Sequence, residues 1–420
     1  MVEENEMEQG EDGDASSSND DEEMDEDEVK TRESSKKAYI PGVSRPLKEG
    51  EEWEFDPEAY RLFHAFNTKF PCLSFDTIPD QLGNNRSEFP LTCYIVAGTQ
   101  GDVRRKNQLI VMKLCNMYGV KEGEDESESD VSVGEEEEEK ENDPKMHTAI
   151  IPHSGRINRI RVANLGQSTV CAVWNDLAKV QLWDVSNPLK ELFDTEGGSS
   201  STKFPNERPL FSCITHRDEG YGLAWSNLET GTLASGDNKG EMNIWKMGDG
   251  GTWNVSQRPF KGHKGSVEDI AWSPTEMALL ISASSDGSIK LWDTRSSPAE
   301  ACVCTIPNAH DSDVNVLSWN EHEPIIVSGG DDAVLKVWSL KTVQYGEPVA
   351  RFKHHQGPIT SVEWCPQEST TMMASGEDDQ VTIWDIAVEA EPGENLQGVP
   401  PQLLFVHMGQ KEIKEVSYSF

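Results

Sequence analysis

Residues 262–293 read GHKGSVEDIAWSPTEMALLISASSDGSIKLWD, and this stretch decides the fold. Its short runs of alternating apolar residues are separated by Ser-Pro and Asp-Gly, which favour turns. The pattern is typical of successive β-strands and lacks the period of an amphipathic helix. Similar stretches follow at intervals of about 46 residues: residues 309–339 read AHDSDVNVLSWNEHEPIIVSGGDDAVLKVWS, and residues 354–385 read HHQGPITSVEWCPQESTTMMASGEDDQVTIWD. The sequence therefore predicts an all-β fold made of repeated sheets.

These repeats carry histidine, serine, aspartate and tryptophan at fixed offsets. A loop histidine can bond a strand serine, a turn aspartate and the indole N–H of the tryptophan, which satisfies polar groups inside an apolar sheet. Two complete tetrads are predicted: His263, Ser282, Asp286 and Trp292, and then His310, Ser328, Asp332 and Trp338. In the third repeat Ser375 is displaced by one residue, while the other positions hold His355, Asp378 and Trp384. Because an active site would not need a copy in every repeat, we interpret these residues as structural.

The remaining units are less regular. In residues 153–184 and 215–245 the aspartate position holds Leu177 and Lys239, so the bonding of a tetrad is in doubt there. A further unit is predicted upstream, in PCLSFDTIPD, FPLTCYIVAGTQ and NQLIVMKL. The chain resembles the WD-repeat family, whose repeats begin near Gly-His, end in Trp-Asp and form the blades of a β-propeller. The resemblance implies a seven-bladed propeller over residues 71–420. The sequence departs from the family pattern in the last blade, which is reached near Tyr418 and is incomplete, and we expect a shortened form of the chain, from splicing or a gene-model error.

The chain is strongly acidic, with 75 Asp and Glu against 37 Lys and Arg and a formal net charge of −38. Two segments, 1–37 and 121–145, carry 22 of these net negative charges and lack aromatic residues. Such segments cannot bury enough apolar surface to fold, so we expect an acidic disordered tail at 1–38 and an acidic disordered insertion at 119–146. A chain this acidic repels phosphates, so direct binding to nucleic acid is not expected.

Several classes of protein are disfavoured. The start of the chain has no signal peptide, and no run of eighteen apolar residues occurs, so we expect a soluble protein that neither is secreted nor enters a membrane. The eight cysteines form no C-x-x-C pair, and we interpret them as reduced thiols, mostly in the core. No phosphate-binding glycine loop, nucleophile elbow or H-E-x-x-H motif occurs, which disfavours an enzyme. No cofactor and no metal are expected.

Residues 39–70 precede the first repeat and are predicted to form a lead-in segment and a helix. Asp56 suits the N-cap of this helix, and the following proline suits its first turn. The helix would expose Tyr60, Phe63 and Phe66. An aromatic stripe at helical spacing can simply pack against the propeller, and a second feature is needed to give it a function.

That second feature is an acidic loop at 387–401, which ends in two prolines ahead of the apolar run LLFVH. The helix and this loop resemble the histone-binding branch of WD-repeat proteins, over about residues 39–411. In that branch the two elements form a side groove for a basic amphipathic helix of a histone. Carried over by position, the resemblance implies a client-binding groove formed by Tyr60, Phe63, Phe66, Glu389, Glu391 and Glu394.

Within this branch, the glutamate-rich tail, the YIPG run at 39–42 and the acidic insertion are similar to the glutamate-rich group of ribosome-assembly chaperones. The resemblance implies a protein of the nucleus and nucleolus, with some in the cytoplasm, that escorts large-subunit ribosomal protein number three and also binds histones. Chromatin assembly is the neighbouring alternative. Basic clients suit an acidic, monomeric host, which would shield them and accelerate their encounter. The acidic tails could instead serve solubility alone.

A different binding function is suggested by WDTR at 292–295, which matches the W-D-x-R pattern of substrate receptors in cullin-RING ubiquitin ligases. Asp293 and Arg295 would contact the ligase linker; the alternative is a local pairing of the two side chains. Three serines in the acidic insertion would suit an acidophilic kinase, with a solvated linker as the alternative: Ser127, Ser129 and Ser132.

Overall fold

The computed structural model describes residues 44–45, 48, 56–80, 83, 86–102, 107–120, 142–389 and 399–419. Over these ranges the chain forms 26 β-strands in six sheets, one α-helix and three short 3-10 helices. The sheets are the blades of a WD-repeat β-propeller, which confirms the predicted fold class. In the same ranges no helix is long and apolar enough to cross a membrane.

The first three blades each begin at an innermost strand and add strands outwards. The first consists of β1 (Cys72–Thr77), β2 (Leu91–Thr99), β3 (Asn107–Met117) and β4 (Lys145–His153), with β8 (Ser200–Lys203) parallel to β4 at the outer edge. The second consists of β5 (Ile157–Leu165), β6 (Ser168–Asn175), β7 (Lys179–Asp184) and β9 (Phe211–Cys213). The third consists of β10 (Leu223–Trp225), β11 (Thr232–Gly236), β12 (Glu241–Met247), β13 (Trp253–Val255) and β14 (Phe260–Lys261).

The last three blades are four-stranded antiparallel sheets that coincide with the repeats. The fourth blade consists of β15 (Val267–Trp272), β16 (Leu279–Ser284), β17 (Ile289–Asp293) and β18 (Cys302–Ile306). The fifth consists of β19 (Val314–Trp319), β20 (Ile325–Gly330), β21 (Val334–Ser339) and β22 (Ala350–Lys353). The sixth consists of β23 (Ile359–Trp364), β24 (Thr371–Gly376), β25 (Val381–Asp385) and β26 (Leu403–His407). The α-helix, α1 (Ser186–Phe193), follows β7, and the 3-10 helices are Pro57–Ala59, Asp249–Gly251 and Val343–Tyr345.

Neighbouring blades are joined by apolar packing and by indole hydrogen bonds. The Trp272 indole N–H donates to the Ala224 carbonyl of the preceding blade at 2.9 Å, and Trp225 reaches the Arg161 carbonyl in the same way. At Gly329 the next blade approaches so closely that a Cβ atom would lie 2.5 Å from Cγ2 of Ile359. Glycine is therefore required there for tight blade-to-blade contact.

The prediction of seven blades is wrong, because the residues that the structure describes form six sheets. After β26, the described residues 408–419 contain no strand. The Tyr418 amide donates to the Glu363 side chain of the sixth blade, and the Glu415 side chain accepts from the Phe75 amide of the first blade. These residues pair with no second strand of their own, so no further sheet forms there.

Residues 412–419 nevertheless take the place of an innermost strand between the sixth blade and the first. Around the ring, backbone N–H groups of one innermost strand donate to a carboxylate of the preceding one: Val162 to Asp76 at 2.7 Å, and Leu317 to Asp269 at 3.1 Å. Two further bonds of this kind join residues 412–419 to both neighbours, Tyr418 to Glu363 at 2.8 Å and Phe75 to Glu415 at 2.7 Å. These residues close the inner ring.

The predicted helix over Tyr60, Phe63 and Phe66 is wrong as well. Asp56 does cap a helical turn, since its carboxylate accepts from the Glu58 amide at 3.1 Å, but that turn is the three-residue 3-10 helix Pro57–Ala59. Beyond it the chain is extended, and side chains at alternate positions from 61 to 70 are exposed and half-buried. Because side chains of an extended segment alternate between its two faces, one face packs against the blades and the other is exposed. This packing outweighs the local preference for a helix.

The insertions lie at identifiable points of the fold. The acidic insertion connects β3 to β4 of the first blade, and the acidic di-proline loop connects β25 to β26 of the sixth. Residues 1–43, 121–141 and 390–398 are outside the described residues, so the predicted tail and most of both acidic loops are too. Of the eight reduced cysteines only Cys171 and Cys213 are buried, and the other six are half-buried, so the expectation of mostly core thiols was too strong.

Candidate functional site

A seam of aromatic side chains joins the extended segment to the outer strand of the sixth blade. The Tyr60 hydroxyl lies 2.6 Å from Nδ1 of His407, and its ring stands edge-on to Phe405 at a centroid distance of 5.5 Å. Phe63 completes the group, 5.2 Å from Tyr60 and 6.0 Å from His407 between ring centroids. Beside it Leu404 is exposed on the same strand. This seam is the strongest candidate for binding a partner.

The three aromatic residues predicted for the groove divide between two roles. Phe63 is 37% exposed and presents its ring to solvent, whereas Tyr60 is half-buried beneath it. Phe66 instead packs on the apolar core of the first blade, together with Leu62. The structure therefore brings Tyr60 and Phe63 together and places Phe66 in a packing position.

Burial at the seam favours the uncharged forms of its titratable groups. It lowers the pKa of His407 and raises the pKa of Tyr60. A neutral imidazole can accept the phenolic proton of Tyr60 through Nδ1, which fixes the orientation of both rings. The seam thus offers an oriented aromatic surface and not a cationic one.

The acidic loop leads into β26, the strand whose Phe405 and His407 belong to this seam. Glu389 is exposed at its beginning, and the Gln402 side chain donates to the Val388 carbonyl at 2.8 Å, which closes the base of the loop. The Leu403 amide donates to the Pro400 carbonyl at 3.0 Å, so the di-proline turn leads directly into β26. Glu391 and Glu394 lie outside the described residues.

The WDTR motif ends in an exposed ion pair. The Arg295 guanidinium donates through Nε to Oδ1 of Asp293 at 2.9 Å and through Nη2 to Oδ2 at 2.7 Å. Hydrogen bonds from Arg295 lower the pKa of Asp293. The local pairing that the sequence left open as an alternative is therefore present, and it holds Arg295 at the surface after β17.

Both complete tetrads predicted from sequence are assembled as hydrogen-bonded chains. In the fourth blade His263 reaches Ser282 at 2.7 Å and Asp286 at 3.3 Å, and Trp292 donates to Ser282 at 2.8 Å. In the fifth, His310 lies 2.8 Å from both Ser328 and Asp332, and Trp338 donates to Ser328 at 2.9 Å. Burial alone would raise the pKa of Asp332, but the hydrogen bond from His310 brings it to about 2.

Two more tetrads use residues that the sequence pattern missed. In the third blade Asp237, two positions before Lys239, bonds His216 at 3.0 Å, and Ser235 joins His216 to Trp245. In the sixth, Thr382 replaces the serine: it lies 2.9 Å from His355 and accepts from Trp384 at 2.7 Å. Ser375 bonds Thr360 instead.

The second blade has no such tetrad. His153 bonds the Gln181 side chain at 2.9 Å, and the buried indole N–H of Trp183 has no hydrogen-bond partner among the described residues. The described part of the chain also contains no group of three or more residues able to hold a metal ion. Three predicted phosphosites lie outside the described residues: Ser127, Ser129 and Ser132.

Comparison with known families agrees with this arrangement. Three repeats, at 254–293, 300–339 and 346–385, match the profile of the WD domain, G-beta repeat. Residues 50–118, which include the extended segment of the seam and most of the first blade, match the family of the histone-binding protein RBBP4 or the corresponding component of the CAF1 complex. The fold and these matches define a WD-repeat protein with an N-terminal region similar to a histone-binding family.

Full-length relatives narrow the assignment. The chain is 38% identical to the protein HEAT STRESS TOLERANT DWD 1 of Arabidopsis thaliana, over 91% of this chain and 87% of the relative. It is 36% identical to ribosome assembly protein rrb1 of Schizosaccharomyces pombe, over 94% and 83%. It is 38% identical to glutamate-rich WD repeat-containing protein 1 of Dictyostelium discoideum, over 91% and 80%. The chain belongs to this family of glutamate-rich WD-repeat and ribosome assembly proteins.

Proposed function

We propose that this protein is a non-catalytic acidic chaperone of ribosome assembly, which carries a basic protein client at the seam between the extended segment and the sixth blade. The observation that carries the proposal is the exposed ring of Phe63, packed against Tyr60 and against His407 of β26, the strand into which the acidic loop leads. Apolar anchors next to carboxylates suit a basic amphipathic helix.

The charge of the chain supports the same class of client. A net charge of −38 favours encounter with strongly basic proteins and disfavours RNA. A newly made ribosomal protein would bind RNA indiscriminately, and an acidic host prevents this until delivery. The relatives named for ribosome assembly support a role in that process. The principal client in this proposal is a large-subunit ribosomal protein, number three of that subunit. The site of action would then be the nucleolus, with loading in the cytoplasm.

Histones are the second class of client. The match of residues 50–118 to a histone-binding family covers one side of the seam, and histones share the high positive charge of ribosomal proteins. A single groove could serve both, since the chemistry that recognises them is the same. The propeller acts as a monomeric scaffold in this proposal, and no step of it requires catalysis.

Partner identification tests the proposal. The full chain, purified under native conditions from its own cells, should carry a large-subunit ribosomal protein as its most abundant stoichiometric partner in mass spectrometry. If histones are the most abundant stoichiometric partner, the result would favour a role in chromatin assembly instead. Cullin-RING ligase components at one-to-one stoichiometry, with no basic protein, would contradict the proposal and support a receptor that uses Arg295.

A further inference from the structure

Two serines in the chain, Ser273 and Ser297, are followed directly by proline. They differ in their exposure to solvent. Ser273 is 2% exposed, and its hydroxyl accepts from the backbone amide of Glu276 at 3.0 Å. Ser297 is exposed in the loop between β17 and β18. A protein kinase that recognises serine before proline could therefore reach only the second of them without unfolding the blade.

Residues 296–300, the part of the loop that carries Ser297, are held by three hydrogen bonds, while Thr294 and Asp293 anchor the loop through the Ala278 and Ala301 carbonyls. The Ser297 hydroxyl donates to Oε2 of Glu300 at 3.0 Å, and the Glu300 amide donates to the Ser297 carbonyl at 2.8 Å, which makes a tight turn with Pro298 inside it. At its start, the Ser296 amide donates to the Asp293 carbonyl at 3.2 Å. Loops fixed by so few exposed bonds open at small free-energy cost, as binding in a kinase cleft requires.

Arg295 stands two residues before Ser297 and is the nearest cation along the loop. Its side chain is 70% exposed, and the carboxylate of Asp293 is its acceptor. A phosphate carries more negative charge than one carboxylate and offers three acceptor oxygens to a guanidinium. An exposed phosphate-binding side chain thus lies two residues from the exposed serine in the same loop.

We propose that Ser297 is a phosphorylation site for a proline-directed protein kinase, and that the phosphate draws Arg295 away from Asp293. The Ser297 Oγ attacks the γ-phosphorus of ATP, the bond from that phosphorus to the β–γ bridging oxygen breaks, ADP leaves, and the hydroxyl proton passes to the catalytic base of the kinase. The modified side chain can no longer donate to Glu300 and is repelled by it, so the turn opens towards Arg295. A partner that binds Arg295 would then contact a guanidinium group whose charge is neutralised by the phosphate.

The first test is phosphorylation of the folded full chain by a purified proline-directed kinase with ATP, followed by intact-mass measurement and peptide mapping. The kinase is chosen as one that modifies synthetic peptides spanning residues 268–278 and 292–302. One phosphate on Ser297 and none on Ser273 is expected, and Ser297→Ala should remove it. A folded chain that stays unmodified, or that is modified at Ser273 equally, overturns the site.

The second test concerns the pairing with Arg295. Phosphorus NMR gives the second pKa of the phosphate in the modified protein and in its Arg295→Ala variant. The pKa should be lower with Arg295 present by roughly 0.2–0.7 unit, the shift that an exposed ion pair of ordinary strength produces. Equal pKa values in the two proteins would show that Arg295 stays with Asp293, and would overturn this part of the proposal.

Discussion

The Glu415 carboxylate accepts a hydrogen bond from the backbone N–H of Phe75 at 2.7 Å, although 340 residues separate them in sequence. This bond joins residues 412–419 to the first blade. The other carboxylate oxygen pairs with Arg161 at 2.9 Å and Arg159 at 3.3 Å. Burial would raise the pKa of Glu415, but the two guanidinium groups hold it below its usual range. Glu415 therefore ties residues 412–419 to the innermost strands of the first and second blades.

Removing this charge should destabilise the ring. Glu415→Gln leaves two largely buried arginines short of a counter-charge, and breaking a buried ion pair in this way costs about 3–5 kcal/mol. The free energy of unfolding from urea titration should fall by about that amount. Glu412→Gln is the matched control, since Glu412 is exposed and its change should stay within about 0.5 kcal/mol. Equal stability of both variants would show that the closure does not depend on Glu415.

A second buried carboxylate of the closure has the opposite pH dependence. Burial raises the pKa of Glu363 to about 7, so this group binds its proton more tightly in the folded state than in the unfolded one. Its contribution to stability is present in full below the unfolded pKa and is lost as the pH rises through about 7. Glu363→Gln should therefore stabilise the protein at pH 8, by about 2 kcal/mol, and have a much smaller effect at pH 5. Urea titrations of both proteins at the two pH values measure this; a stability difference independent of pH would contradict it.

The sixth-blade tetrad can be tested with two hydroxyl groups. Thr382→Ala leaves the indole N–H of Trp384 and the imidazole of His355 buried without this partner, which costs about 1–3 kcal/mol. Ser375→Ala removes only a bond to Thr360 and should cost less. Thr382→Ser keeps the hydroxyl and should retain most of the stability. Thermal unfolding ranks the three variants, and a larger loss at Ser375 than at Thr382 would refute the assignment.

The ligase hypothesis makes a separate prediction at Arg295. Because this side chain is exposed and paired only with Asp293 in the described structure, Arg295→Ala should leave the melting temperature unchanged. If the motif is functional, the variant should lose co-purification with the ligase linker while basic clients stay bound. Failure of any ligase component to co-purify with the unmodified protein would reject the hypothesis.

The fold was predictable because the same pattern of strands and turns occurs in several repeats. The tetrads were predictable only in repeats where their four side chains lie at the same sequence offsets. Thr382 was missed for a simple geometric reason. It faces Ala374 across the sheet, at the same register as Lys290 facing Ser282 in the fourth blade. A hydroxyl on either side of such a pair reaches the histidine and the tryptophan, so the bonding is kept while the sequence position changes.

The seam and the ring closure depend on contacts that local sequence does not contain. Tyr60 meets His407 across 347 residues, and the extended form of its segment follows from packing on two blades. The aromatic residues are spaced by three, which suggested a helix. No neighbouring residue in the sequence indicates that the segment packs against the blades with alternate side chains buried. The blade count failed similarly, because Glu415 and Tyr418 look like the start of a strand and act as the closure between existing blades.

The central claim is that the seam binds basic clients, and the affinity for a purified large-subunit ribosomal protein tests it most directly. Biolayer interferometry would compare the unmodified chain with Phe63→Ala, with the combined charge reversal of Glu389, Glu391 and Glu394 to Lys, and with Tyr345→Ala. Tyr345 is an exposed aromatic residue in the fifth blade, outside the seam, and serves as the matched control. The first two variants should each weaken binding by about tenfold or more with unchanged melting temperatures, and the control should bind as tightly as the unmodified chain. Affinity that is the same in all four proteins would contradict the account.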